Sequence, residues 1–211
     1  MGLPPLENPA DTPKEIKNVC VFCGSKAGDE IYVNHAKEIS SLLGKNNYDL
    51  VYGGGSVGIM GVVAQAFLDE GRHTRAIVPE PLLRHGSKQI ATTVDVVPDM
   101  HTRKQTMNKH SQAFIVFPGG YGTLEEMLEI ITWSQLNIHS KPIILINTNG
   151  FFDLFVQWVD LMIKEKFVQE GNRNIFVVCE TGEQVLEALK NYKAPTSRYG
   201  LDWIKSDPIA P

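Results

Sequence analysis

The feature that most limits how this chain can fold is an alternation. Short, uninterrupted apolar runs recur along it, and between them lie longer segments with apolar residues at helical spacing. The runs are 19-VCVFC-23, 49-DLVYG-53, 75-RAIVP-79, 113-AFIVF-117, 142-PIILIN-147 and 175-IFVVC-179, with a short further candidate at 93-TVDVVP-98. Helical patterns occupy 30–46, 59–70, 100–111, 124–136, 152–167 and 183–192. A strand that is apolar at every residue is buried on both faces, and strand–helix–strand order makes successive strands parallel through right-handed crossovers. The expected fold is α/β: a Rossmann-like, doubly wound parallel sheet forming a single domain over residues 18–193.

Length and charge agree with that. A chain of 211 residues suits one domain with a sizeable core. A net charge of −4 gives no basic surface for nucleic acid. No run of about 20 apolar residues offers a membrane span, and the first residues lack the charged-then-apolar order of a signal peptide. The expectation is a soluble, cytosolic protein. Proline density marks 1–17 as an N-terminal arm expected to be disordered and 194–211 as a C-terminal tail, in which Trp203 and Ile204 are candidates to dock.

Cys20 and Cys23 form a C-x-x-C. On a strand, residues i and i+3 point to opposite faces, so the two cannot share a metal, and they read as small buried residues. No histidine spacing reads as a metal site.

Ligands in such sheets bind beyond the carboxyl ends of the strands, where strand order reverses. Three runs end there in small, glycine-containing turns: 23-CGS-25, 53-GGGSVGIMG-61 and 118-PGGYGT-123. Helix N-termini beyond such turns present free N–H groups and partial positive charge, which favours a phosphate. The second turn matches G-x-G-x-x-G as Gly53, Gly55 and Gly58, but on the second strand instead of the first. Phosphate contact and tight packing are both open readings of its glycines.

The third turn carries the sharper question. Thr123 and Glu126 form a T-x-x-E capping box, in which both side chains would satisfy helix N–H groups. Against that stands the helical wheel, which groups Leu124, Met127, Leu128 and Ile131 on one face, read as the core. Glu126 falls opposite, in line with Ile130 and Trp133, so a partner subunit or a pocket wall is expected to cover that face. A carboxylate beside such an apolar surface suits an acid or base in catalysis. In 99-DMHTRKQTMNKH-110, Asp99 can cap a helix whose first turns hold Arg103 and Lys104. These cations are either a solvated basic face or a pair that meets an anion at the same edge.

The segments 100-MHTRK-104 and 118-PGGYGTLEE-126, together with 52-YGGGSVGIMG-61 and 132-TWSQLNIHSKPIILIN-147, resemble the LONELY GUY (LOG) family over residues 18–192. These are cytokinin riboside 5′-monophosphate phosphoribohydrolases. The resemblance implies hydrolysis of the N-glycosidic bond of an N6-substituted AMP, giving a free adenine-type base and ribose 5-phosphate. It implies Arg103 and Glu126 as the catalytic pair. It places the 5′-phosphate on Pro118, Gly119, Gly120, Tyr121, Gly122 and Thr123, with Gly24, Ser25, Gly54 and Gly55 lining the nucleotide site and Met100 and Lys104 nearby. It further implies a homodimer, which fits an interface near Ile130 and Trp133. The substrate is a small nucleoside 5′-monophosphate; neither nucleic acid nor membrane is a partner, and the chemistry requires no metal or redox cofactor. One departure falls in 82-LLRHGSK-88. Arg84 and His85 stand where comparable members often carry an acidic residue after Pro-Arg, which leaves plain AMP as a second candidate substrate.

A rival from another class is a non-catalytic nucleotide or molybdenum-cofactor carrier, since related Rossmann-like proteins bind that cofactor. It would need the glycine turns but not the Arg103–Glu126 pair. A lysine decarboxylase label, sometimes attached to such proteins, asks for a Schiff-base lysine in a recognisable setting, and the sequence shows none.

Overall fold

The structure, a computed structural model, describes residues 12–13, 15–84 and 89–203. Most of the N-terminal arm, His85 of the departing loop and Ile204 of the tail lie outside the described residues.

Seven strands form one sheet, all parallel. They are β1 (Asn18–Phe22), β2 (Asp49–Tyr52), β3 (Thr74–Pro79), β4 (Thr93–Val97), β5 (Ala113–Val116), β6 (Ile143–Ile146) and β7 (Val177–Cys179), in the order β4-β3-β2-β1-β5-β6-β7. The helices between them are α1 (Glu30–Lys45), α2 (Gly58–Asp69), α3 (Glu80–Arg84), α4 (Met100–His110), α5 (Tyr121–Gln135), α6 (Asp153–Lys164) and α7 (Gly182–Asn191). The doubly wound fold is as the alternation predicts. Strand order reverses between β1 and β5, so their carboxyl ends open the crevice at which such sheets take ligands.

Two apolar layers sandwich the sheet. One packs α1, α2 and α7 against one face, with Val21, Leu43, Phe67 and Leu189 among its members. The other packs α4, α5 and α6 through Met107, Met127, Ile130 and Val159. The alternation of β1, carried on into the residue after it, is visible in the cysteines: Cys23 belongs to the first layer and Cys20 to the second, and both are free thiols. The C-x-x-C is thus two small core residues on opposite faces.

Two predicted features of α5 differ. The helix begins at Tyr121, with Gly120 as a backbone N-cap and no side-chain cap. Thr123 therefore lies inside the first turn, and the expected Thr123–Glu126 capping box does not form. The chain does contain such a box, at Thr181 and Gln184 of α7. The inward face of α5 is Thr123, Glu126, Met127, Ile130 and Ser134, while Leu128 is 41 % exposed. The predicted wheel is rotated: Glu126 and Ile130 face the core, and Ile130 cannot serve an interface because its own chain buries it. The reason is that Met127 and Ile130 anchor the helix, while the acid beside them is admitted inward by a buried cation described below.

The termini join the body. Ile16 packs on the core, and the Lys17 N–H donates to Gln112 Oε1. In the tail, Arg198 donates to Ser134 O, His139 O and Ser140 Oγ, and Trp203 Nε1 donates to Leu136 O.

Candidate active site

The loops after β1, β2 and β5 meet at the carboxyl edge. Gly24 N–H donates to Pro118 O, which ties the first loop to the third. An added Cβ on Gly119 would run into Thr123 Oγ1 and come within 2.8 Å of Gly24 N, so only glycine permits this approach. Thr123 is accordingly buried against the turn.

The second and third turns treat their helix N-termini differently. At α2, the Ile59 and Met60 N–H groups donate to Lys26 O and Gly24 O, and Gly55 N–H to Met60 Sδ. Those donors hold loop to loop. At α5, Leu124 N–H is the first to find an acceptor within the helix, Gly120 O. The N–H groups of Tyr121, Gly122 and Thr123 precede it and have no acceptor one turn back. Gly120 and Gly122 are exposed, and a Cβ on either would meet nothing within 4 Å. The α5 terminus is therefore the open one, with its positive dipole end facing the crevice.

Beside it stands a buried ion pair. Asp99 caps α4 by accepting from Thr102 N–H at 2.7 Å, as the sequence predicts. One turn in, Arg103 enters the interior. Its Nη1 is 2.6 Å from Glu126 Oε1, its Nε donates to Ile77 O within β3, and Arg103 and Glu126 are each 7 % exposed. The guanidinium fits because position 53 is glycine; an added Cβ there would run into Arg103 Nη2. The sequence did not reveal this role for Gly53, which its G-x-G-x-x-G match hides. Burial raises the Glu126 carboxyl above the usual range, although Arg103 pulls it down.

Lys104 turns to the other side of α5. It is 6 % exposed and pairs with Glu125 and, at 3.0 Å, with Glu129. Of the remaining predicted residues, Gly24 and Pro118 are buried at the loop junction and Ser25 is exposed at the rim. An added Cβ on Gly54 would run into Val78 and one on Gly55 would meet Met60 Sδ. Met100 is half-exposed, and its Sδ lies 4.0 Å from Arg103 Nη1. Tyr121 is 94 % exposed. In the loop that departs from the family pattern, Arg84 pairs with Glu80.

Fold and site together define a Rossmann-like α/β protein with a buried arginine–carboxylate pair beside an open helix terminus. A family model described as "Possible lysine decarboxylase" matches residues 60–189. The chain is 43 % identical over 180 residues to the cytokinin riboside 5′-monophosphate phosphoribohydrolase LOG1 of Arabidopsis thaliana, covering 84 % of each chain. It is 42 % identical over 189 residues to the phosphoribohydrolase LOG of Oryza sativa, covering 89 % of this chain and 78 % of the relative. The chain belongs to the LOG family. Among solved structures, the molybdenum cofactor binding protein of Rippkaea orientalis superposes with a TM-score of 0.64 at 18 % identity, over 84 % of this chain and 98 % of that one. That likeness establishes the shared fold.

Proposed function

We propose that this protein hydrolyses the N-glycosidic bond of N6-substituted adenosine 5′-monophosphates, releasing the free base and ribose 5-phosphate. The observation that carries the reading is the Arg103–Glu126 pair, 2.6 Å apart and buried, beside the open N-terminus of α5. Its relatives' names support the substrate class.

The chemistry follows from that arrangement. The 5′-phosphate seats on the N–H groups of Tyr121, Gly122 and Thr123, where the helix dipole favours an anion. As C1′–N9 breaks, its electron pair leaves with the base and positive charge builds on the ribose. The Glu126 carboxylate stabilises that charge and takes a proton from the attacking water, whose oxygen bonds to C1′. The leaving base is protonated, so water is divided between the two products. Arg103 keeps Glu126 ionised against the burial that would neutralise it. Plain AMP is a second substrate in this reading, because Arg84 and His85 stand where comparable members often carry an acidic residue.

The assembly is a homodimer, in keeping with the family. Its contact lies near Trp133, which is half-buried, together with the exposed Tyr121, Leu128 and Met100, and excludes the buried Ile130. Light scattering on a size-exclusion column tests this. A cytoplasmic location goes with the reading and is supported by three unpaired, buried cysteines. No helix among the described residues is long and apolar enough to cross a membrane.

The decarboxylase description of the family model finds no support at the site. A Schiff-base lysine must give up its proton readily, whereas Glu125 and Glu129 outweigh the effect of burial and raise the Lys104 ammonium above the usual lysine range. The test is incubation with N6-isopentenyladenosine 5′-monophosphate and chromatography of the products. Stoichiometric free base and ribose 5-phosphate are expected. Nucleotide binding without base release would favour a carrier.

A further inference from the structure

The edge of the sheet opposite the candidate active site holds a second group of unfilled polar atoms. There the amino ends of β1, β2 and β3 and the last residue of α4 enclose a cavity of about 340 Å³, with Lys17, Asp49, His73, Arg75 and His110 among its lining. It is separate from the phosphate seat on α5. Met100, beside Arg103, and His110 stand about 15 Å apart along α4.

Asp49 is 6 % exposed, and its two oxygens are treated differently. Oδ1 accepts from Arg72 Nε at 3.1 Å, from Arg72 Nη2 at 2.8 Å and from His73 N–H at 3.1 Å. Oδ2 accepts no hydrogen bond among the described residues; Lys17 Nζ stands 4.0 Å from it. A buried carboxylate oxygen without a donor is costly. Arg75 is half-buried and donates from Nη1 to Asp95 Oδ2 at 2.6 Å. Its Nε and Nη2 have no acceptor among the described residues, and the His110 ring has no hydrogen-bond partner there. One acceptor and a guanidinium edge are thus left open in the same cavity.

We propose that this cavity is a second binding site, for a small phosphate monoester that carries hydroxyl groups: a sugar phosphate. A hydroxyl donates to Asp49 Oδ2, and two phosphate oxygens accept from Arg75 Nε and Nη2. The charges select that class. Lys17, Arg72 and Arg75 meet only the carboxylates of Asp49 and Asp95, and Lys109 adds a further cation near His110. An ammonium donor would be repelled there, whereas a hydroxyl donor carries no charge. The positive excess favours an anion, and a guanidinium fork matches two oxygens of a phosphate. A third phosphate oxygen remains for Lys17 or His110, which a carboxylate could not supply. This site is additional to the function proposed above and does not depend on it.

The experiment uses the full chain with isotope-labelled histidine. Ribose 5-phosphate, inorganic phosphate and ribose are each titrated while the ring signals of His73 and His110 are followed by NMR. His101, in the first turn of α4, reports the other edge. Ribose 5-phosphate is expected to shift His73 and His110 saturably, at a concentration at least about tenfold below that needed with phosphate or ribose, since each of those lacks one half of the contacts. Arg75→Met should abolish these shifts and leave the His101 response and base release as in wild type. Inorganic phosphate binding as tightly as ribose 5-phosphate would overturn the proposal, because Asp49 would then recognise nothing. Shifts confined to His101, or shifts at His73 and His110 that do not saturate, would overturn it as well. If Arg75→Met fails to fold, Arg75→Lys decides: it keeps a cation for Asp95 but loses the fork, and an unchanged affinity for ribose 5-phosphate would refute the site. The ring signals are read without turnover, so the result stands even if the protein releases no base.

Discussion

Acid should loosen this protein at one identifiable histidine. His139 is buried between α5 and β6. Its Nε2 is 2.9 Å from Ile130 O, its Nδ1 accepts the Lys141 N–H at 3.2 Å, and its ring lies 5.3 Å from that of Phe114. The Lys141 contact requires a bare Nδ1, so the proton sits on Nε2 and the ring is neutral. Burial, reinforced by Lys141 and Arg198, lowers its pKa from 6.5 to about 3. Between those values the unfolded chain binds a proton that the folded chain does not, so stability rises with pH across the window. The contribution is complete above 6.5 and disappears progressively toward 3. At about 1.4 kcal/mol per pH unit, roughly 2 kcal/mol is lost by pH 5. For a chain of this length that is a fall of roughly 4–8 °C in Tm. Other groups titrate too, so the measurement is a difference: urea unfolding of wild type and His139→Gln at several pH values from 7.5 to 5. Glutamine keeps a donor for Ile130 O but cannot ionise. The stability advantage of wild type should shrink by roughly 2 kcal/mol across that range. A difference that stays flat would refute the neutral, buried histidine and with it this account of how α5 is anchored.

Three further outcomes test the site and its frame. Glu126→Gln should cut turnover by at least about 10²-fold and also lower Tm, because it leaves the buried Arg103 guanidinium without its counter-ion; unchanged turnover would take Glu126 out of the chemistry. Gly53→Ala should also abolish most activity and cost about 1–3 kcal/mol by urea unfolding, since the new Cβ displaces the Arg103 guanidinium; full activity would show that Arg103 reaches Glu126 without the space glycine leaves. Arg198→Ala should lower stability by about 1–3 kcal/mol, since it strips partners from Ser134 O, His139 O and Ser140 Oγ; an unchanged melt would mean that the tail docks without it.

How much could be read from the chain alone depended on how local the cause was. Strands buried on both faces appear directly as unbroken apolar runs, so β1, β5 and β6 were plain. Strand β4 was marginal because it is a sheet edge, with Val94 and Val96 exposed beside Asp95. α5 starts three residues before its apolar pattern does, because Tyr121 and Gly122 are weak helix formers and the turn fixes that terminus through backbone geometry. Its inward face departs from the wheel for a different reason. A wheel counts an acid as outward, yet Glu126 is inward because Arg103 meets it from another helix, 23 residues away in sequence. No local pattern encodes that pairing, and only the two motifs taken together pointed to it. Gly53 was equally hidden: its close approach to Arg103 joins the end of β2 to α4.

That pairing also explains why the site sits where it does. A carboxylate in a dry setting is a strong electrostatic stabiliser of developing positive charge, but burial tends to neutralise it before it can act. The fold answers by bringing a guanidinium, charged at every working pH, from α4 through the gap that Gly53 leaves. The carboxyl edge at the β1/β5 reversal is the place where this can be done beside a phosphate seat, because α5 begins there with its donors unfilled. Phosphate at the α5 terminus and charge at the second turn of the same helix are then held at a fixed separation by one rigid element. Substrate position and the carboxylate are thereby set by the same helix, and any change that shifts α5 on α4 should lower kcat more than it lowers nucleotide affinity.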